Sequence, residues 1–235
     1  MKQTIVPVKN VLRLVSAGNA LMERPMGTPG IGAIYGQSGL GKTTAATWFI
    51  NKCNGVYVRA KKLWTPLSMM QSICDELGID RHRSAVACQD AIIEALALEN
   101  RPLFIDEADY VVESAAMVEA IRDIHDMSTV PVILIGMKNF AKKIKRFPQF
   151  DNRIMQWVEF AHCDLDDARN IVNEMSDKVK ISDDLLEALV RESKGEVRRV
   201  VVGLYQIEQY ALNQGKAEMT LKEFKGQFHL GHVGV

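Results

Sequence analysis

Apolar positions follow two regimes along this chain, and the change falls near residue 162. In the first, Val8, Val11, Leu12, Val15, Leu21 and Met22 recur at roughly helical spacing and predict an opening helix over 8–22. Two prolines and two glycines in ERPMGTPG (23–30) then punctuate a loop. Five compact apolar runs read as strands: IGAIYG (31–36), GVYVRA (55–60), RPLFID (101–106), VPVILIG (130–136) and QWVEFA (156–161). Helical patterns lie between them, after the Gly-rich turn at 36–41, at 66–77 and at 84–100. Short apolar strands alternating with helices imply a parallel sheet covered on both faces. From Asp164 onward the pattern is helical only, through DLDDARNIVNEMSDK, SDDLLEALVRESKG, EVRRVVVGLYQIEQYALNQG and TLKEFKGQF. The expected organisation is α/β. An N-terminal helix and loop (1–30) precede an αβα core with a parallel sheet (31–162), and a small all-helical segment (163–235) follows.

Composition narrows the classes. A chain of 235 residues suits one large domain or a core with a small satellite, and 47% apolar with 25% charged residues is ordinary for a globular protein. Basic and acidic residues balance at 29 each, so any nucleic-acid contact must come from a local patch. Arg13, Asn19 and Glu23 interrupt the N-terminal stretch, which reads as neither a signal peptide nor a membrane span. Cys53, Cys74, Cys88 and Cys163 show no CxxC pairing, and the five histidines have no metal spacing. Unpaired cysteines in apolar surroundings suit a reducing cytoplasm, the expected location.

Gly36, Gln37, Ser38, Gly39, Leu40, Gly41, Lys42 and Thr43 fit GxxxxGK(S/T) at every fixed position, between a strand and a helix, with Thr44 next. Glycines let backbone N–H groups turn inward around phosphates, and the following helix presents its positive end to them. Lys42 is expected to reach the outer phosphates of ATP, and the Thr43 hydroxyl to ligate Mg²⁺. LFIDE supplies the second acidic site. Asp106 is placed to hold the magnesium shell, and Glu107 to orient and polarise a water. A hydrolase wants such a base, whereas a small-molecule kinase must exclude water. Residues 106–109 also spell Asp-Glu-Ala-Asp, the tag of a helicase family that needs two tandem nucleotide domains. One phosphate loop makes that match accidental.

With these pieces placed, the chain resembles the AAA+ ATPases from about Pro29 to Leu212, and within them the branch of origin-recognition and transposition-helper ATPases. VPVILIGMKNF looks like the fourth strand and sensor 1, with Asn139 the matching polar residue. Arg153, ahead of the fifth strand, matches an arginine finger that the family supplies from a neighbouring subunit. Arg198 in GEVRR resembles sensor 2, at the helical lid that DLDDARNIV begins. Such cations would meet charge developing on the transferred phosphoryl group. The bland alternative for both arginines is a solvated surface.

The stretch RAKKLWTPLSMMQSICDELGI is similar to that of transposition helpers of the phage Mu kind. Those helpers begin with a helix-turn-helix domain, and nothing before the phosphate loop here is long enough to form one. DNA contacts are then expected from the assembled ATPase alone. Arg59, Lys61 and Lys62 are the candidate contacts to duplex DNA, without sequence specificity, with Trp64 read as core. A second basic run, Lys138 to Arg146, need not share one helix face and reads as solvated.

The resemblance implies an ATP-dependent ATPase that assembles with itself on DNA, selects target DNA and activates a transposase, in a bacterial cell or encoded by a mobile element. A replication initiator or helicase loader is one alternative. A nucleotide-switch signalling ATPase that never meets DNA is another.

Overall fold

The five apolar runs form one parallel sheet. The computed structural model of the chain describes residues 5–176, 178–228 and 230, so the ends of the expected flanking segments, 1–4 and 231–235, lie outside the described residues. The strands β1 (Ile31–Gly36), β2 (Val56–Arg59), β3 (Leu103–Asp106), β4 (Val132–Met137) and β5 (Ile154–Glu159) lie in the order β2-β3-β4-β1-β5. Every neighbouring pair is parallel. β1 runs in unbroken register with β4, from Ile31 opposite Val132 to Gly36 opposite Met137.

β1 keeps its expected limits, β2 and β3 are shorter than the runs 55–60 and 101–106, and β4 and β5 are shifted. β4 starts at Val132 because Pro131 has no N–H to give the ladder, although its carbonyl still accepts from Leu103 N at 2.9 Å. β5 ends at Glu159 instead of reaching Ala161, and its register against β1 shifts between Ile31 and Gly32. The backbone of Ala161 is taken by a side chain: Asn10 accepts from its N–H at 3.0 Å and donates to its carbonyl at 2.8 Å.

The chain divides by its contacts into two units, one of Arg13–Gln37 with Lys42–Glu159, the other of the chain up to Leu12, Ser38–Gly41 and Phe160 onward. The first is the three-layer core. Helices α1 (Lys9–Met22) and α2 (Lys42–Cys53) supply Leu14, Leu21 and Phe49 to one face, where Phe49 meets Phe104 edge-on at 6.2 Å. Helices α3 (Pro66–Leu77), α4 (Ala85–Glu99) and α5 (Ala115–Ser128) bury Met69, Ile73, Ile92, Leu96 and Ile121 over Ile31, Val58, Ile105 and Leu134 on the other. Trp64 packs against this cluster, as expected of a core residue. Each of these helices is capped by its own sequence. Thr65 and Ser68 bond reciprocally across the first turn of α3, with Pro66 at its first position. Ser84 and Ser114 cap α4 and α5, each worth about 1 kcal/mol. Short helices α6 (Phe140–Ile144) and α7 (Pro148–Asp151) connect β4 to β5.

The second unit holds α8 (Leu165–Met175), α9 (Asp183–Glu192) and α10 (Val197–Asn213). It is not helical throughout, because β6 (Lys180–Ile181) pairs in parallel with β7 (Glu218–Met219). Nor is TLKEFKGQF a helix. There the Glu223 carboxylate folds back on Thr220 N and Oγ1 at 3.1 and 2.8 Å and on Lys216 Nζ at 2.8 Å, closing a turn.

Candidate functional site

β1 leads directly into the phosphate loop, and α2 starts at its last lysine. Gly39 (φ 82°) and Gly41 (φ 85°) adopt the left-handed backbone that a side chain resists, which is what folds the loop. Lys42 is buried, and its Nζ donates to the carbonyls of Gly36 at 2.8 Å and Gln37 at 2.7 Å. Burial lowers its pKa, an effect opposed by the charges of Asp106, Glu107 and Asp109. Residues Ser38–Gly41 pack with the second unit. There the N–H of Arg198 donates to Gly39 O at 3.1 Å, and the Arg198 side chain is exposed. Gln37, Ser38, Thr43 and Thr44 are also exposed.

The acids sit at the carboxyl end of β3. Asp106 is 3% exposed, and its Oδ2 accepts from Thr43 Oγ1 at 2.9 Å and from Tyr57 Oη at 3.0 Å. Its Oδ1 accepts from Glu107 N at 2.8 Å. Burial, then the Asp106 charge, pushes the Tyr57 phenol up to about 12, so it remains a donor at neutral pH. Glu107 has φ 53°, a conformation that costs a non-glycine residue about 1–3 kcal/mol. Its carboxylate pairs with Arg59 at 3.1 Å.

This donor set fits a magnesium nucleotide. The loop offers backbone donors, a helix N-terminus and a buried ammonium to an anion. Thr43 and Asp106 meet as a hydroxyl–carboxylate pair. Among the described residues no group of three or more His, Cys, Asp or Glu could hold a metal unaided. Mg²⁺ needs no such cage, because one or two side chains and the phosphates complete its shell.

The remaining expected site residues are spread along the chain. Asn139 is exposed ahead of α6 and its side chain does not cap that helix. Arg153 is held by its own chain: Nε and Nη2 bond to Asp126 at 2.9 to 3.2 Å, and Nη1 to Gln149 O at 3.1 Å. Lys61 and Lys62 are exposed on the turn after β2, whereas Arg59 faces Glu107. In the second basic run, Lys143 pairs with Asp109 at 3.1 Å.

Two residues escaped sequence reasoning. Tyr57 shares a strand face with Arg59, a period-two relation that was available once β2 was aligned beside β3. Asp109 is buried, accepts from Met137 N at 2.6 Å, and so ties the turn after β3 to the end of β4, two residues before Asn139. The fourth letter of Asp-Glu-Ala-Asp therefore has a structural task here.

Among curated proteins none matches the sequence. Among solved structures the fold is similar to the Aeropyrum pernix ORC2 protein in its ADPNP-ADP complexes, at 17% identity and TM-score 0.73, over 93% of this chain and 68% of that one. It is also similar to the Aeropyrum pernix ORC1 protein in complex with DNA, at 14% identity and TM-score 0.64, over 94% of this chain and 64% of that one. Cdc6p from Pyrobaculum aerophilum is similar at 15% identity and TM-score 0.65, over 92% of this chain and 66% of that one. At such identities the likeness speaks for the fold. Among protein families, the AAA domain matches residues 24–144, more than half of the sequence, and the chain belongs to that family.

Proposed function

We propose that this chain is an ATP-hydrolysing AAA protein that acts on duplex DNA as an assembly of several copies, in replication initiation or helicase loading. The observation that carries the ATPase reading is the contact of Thr43 with Asp106 beside Glu107, directly behind a loop that already encloses the Lys42 ammonium. Lys42 would exchange two carbonyls for phosphate oxygens, and α2 would add its N-terminal N–H groups. Bound Mg²⁺ would neutralise charge on the outer phosphates. Glu107, released from Arg59, would take the proton of an attacking water. Arg153 would have to leave Asp126 before it could serve a neighbour's site, which makes hydrolysis depend on assembly.

Two observations support the DNA role. Lys61 and Lys62 project into solvent from a fixed turn, in which Trp64 N bonds to Lys61 O at 3.0 Å. The fold is also that of ORC and Cdc6 proteins, one of them solved with DNA. These neighbours favour replication over the selection of transposition targets, for which the sequence likeness, chiefly around 59–79, speaks.

The test is a fluorescence anisotropy titration of random-sequence duplex at several salt concentrations, with and without ATP. ATP-dependent binding is expected, and Lys61→Ala/Lys62→Ala should weaken it on every sequence and flatten the log–log salt slope by about 2. Lys42→Ala should bind neither ATP nor DNA. If the wild type ignores DNA while binding ATP, the nucleotide-switch reading replaces this one.

A further inference from the structure

Asp106 is held by more than the phosphate loop. Three donors converge on its buried carboxylate: Thr43 Oγ1 and Tyr57 Oη on Oδ2, at 2.9 and 3.0 Å, and Glu107 N on Oδ1 at 2.8 Å. A carboxylate offers about four acceptor positions, so one is left, on Oδ1. The end torsion of an aspartate is broad and nearly two-fold, so an unrestrained carboxylate would exchange its two oxygens. Thr43 donates to it from the phosphate loop, where the same hydroxyl is the expected metal ligand, so its position depends on what the loop binds. Glu107 N–H belongs to the adjoining peptide and moves with it. Tyr57 is different. It stands on β2, opposite Phe104 in the ladder, and its bond to Asp106 needs neither nucleotide nor metal.

We propose that Tyr57 is a positioning residue for the magnesium aspartate: its hydroxyl fixes the rotation of the Asp106 carboxylate and keeps the remaining Oδ1 position open to the cation's shell. This rests on the ATP–magnesium reading above. A hydrogen bond that orients a metal ligand is worth roughly 10–100-fold in metal affinity, so the effect should be large enough to measure. It should also be confined to the metal, because Tyr57 makes its bond to Asp106 and not to the loop that holds phosphates.

The experiment is Tyr57→Phe in the full chain, which removes one oxygen and keeps the ring. Binding of a fluorescent ADP analogue is measured without metal and across a Mg²⁺ titration, with ATP turnover followed over the same range. Metal-free affinity should stay within about twofold of the wild type, while the Mg²⁺ midpoint rises roughly tenfold. Turnover should recover at high Mg²⁺. A Mg²⁺ midpoint equal to the wild type's overturns the proposal, whatever happens to turnover. Loss of metal-free affinity as well would show that the hydroxyl matters to the shape of the site rather than to the metal, and also overturns it. A wild type that binds the analogue under no condition instead removes the ATP reading itself.

Discussion

Arg59 and Glu107 are ion-paired, Nη2 to Oε1 at 3.1 Å, so a residue expected to meet DNA restrains the residue expected to activate water. The side chains are 65% and 33% exposed, and a pair of that exposure is worth no more than about 1 kcal/mol. Such a restraint is weak enough for a passing phosphate to break. Arg59→Ala should therefore raise DNA-independent ATP turnover by up to about fivefold, the rate equivalent of that energy. Glu107→Gln should bind ATP and turn it over at least about a hundredfold more slowly. Steady-state phosphate release measures both. Basal turnover that falls in Arg59→Ala would mean the pair organises the base instead of restraining it.

The left-handed backbone at Glu107 should be visible in stability, separately from chemistry. Glu107→Gly and Glu107→Ala both lose the carboxylate and its pairing, but only glycine tolerates φ 53° without strain. The glycine variant should melt above the alanine variant by about 2–4 °C for each 1 kcal/mol of strain relieved. Equal melting temperatures in calorimetry would show that the turn relaxes around alanine.

His125 makes the core sensitive to acid. Its Nε2 accepts from Gly30 N at 3.1 Å and its Nδ1 faces Val130 O at 2.8 Å, so the ring must be neutral with the proton on Nδ1. Burial lowers its pKa below the ordinary 6.5. Between the folded and unfolded values the unfolded chain binds the proton and the folded chain does not, so stability decreases as the pH is lowered through that window. The contribution is complete above 6.5 and is lost as pH drops through the lowered folded value. Urea titrations at successive pH values should show this slope, and His125→Gln should flatten it. A slope that survives in the variant assigns the acid sensitivity to the carboxylates.

Arg153 is clamped by Asp126 on its own chain, so its service to a neighbour requires an exchange of partners. A mixture of Arg153→Ala and Glu107→Gln proteins should regain part of the wild-type turnover, because each variant spoils a different half of a shared site. Asp126→Ala, which frees the guanidinium, should lower the protein concentration at which turnover becomes half-maximal. Additive turnover in the mixture would confine Arg153 to its own subunit.

How much was legible beforehand depends on the range of the interaction. The phosphate loop, the strand leading into it and the acids at the end of β3 were readable because adjacent residues make each of them. Glycines set the turn, an apolar run sets the strand, and the candidate site residues follow at the next position. The helices at 66–77 and 84–100 were readable for the same reason, beside Thr65 and Ser84, whereas the helix that Ser114 caps was not read from its pattern. TLKEFKGQF misled because its helical spacing was outweighed by Lys216 and Thr220, which draw Glu223 into a turn. β5 misled because the apolar Phe160 and Ala161 extend the pattern of the strand, while Asn10 removes the Ala161 backbone from the sheet across 151 residues.

The sequence by itself determined that the chain forms a parallel α/β core with a phosphate loop and two acids one block later, since those features are written in local periodicity and spacing. Only the tertiary structure decided that β2 lies beside β3. That neighbourhood brings Tyr57 to Asp106 and Arg59 to Glu107, and the pairing of β3 with β4 carries Asp109 to the end of β4. Hydrogen bonds and ion pairs act over about 3 Å, whereas these partners lie 28 to 49 residues apart in the chain, and no local pattern encodes which strand edge will meet which.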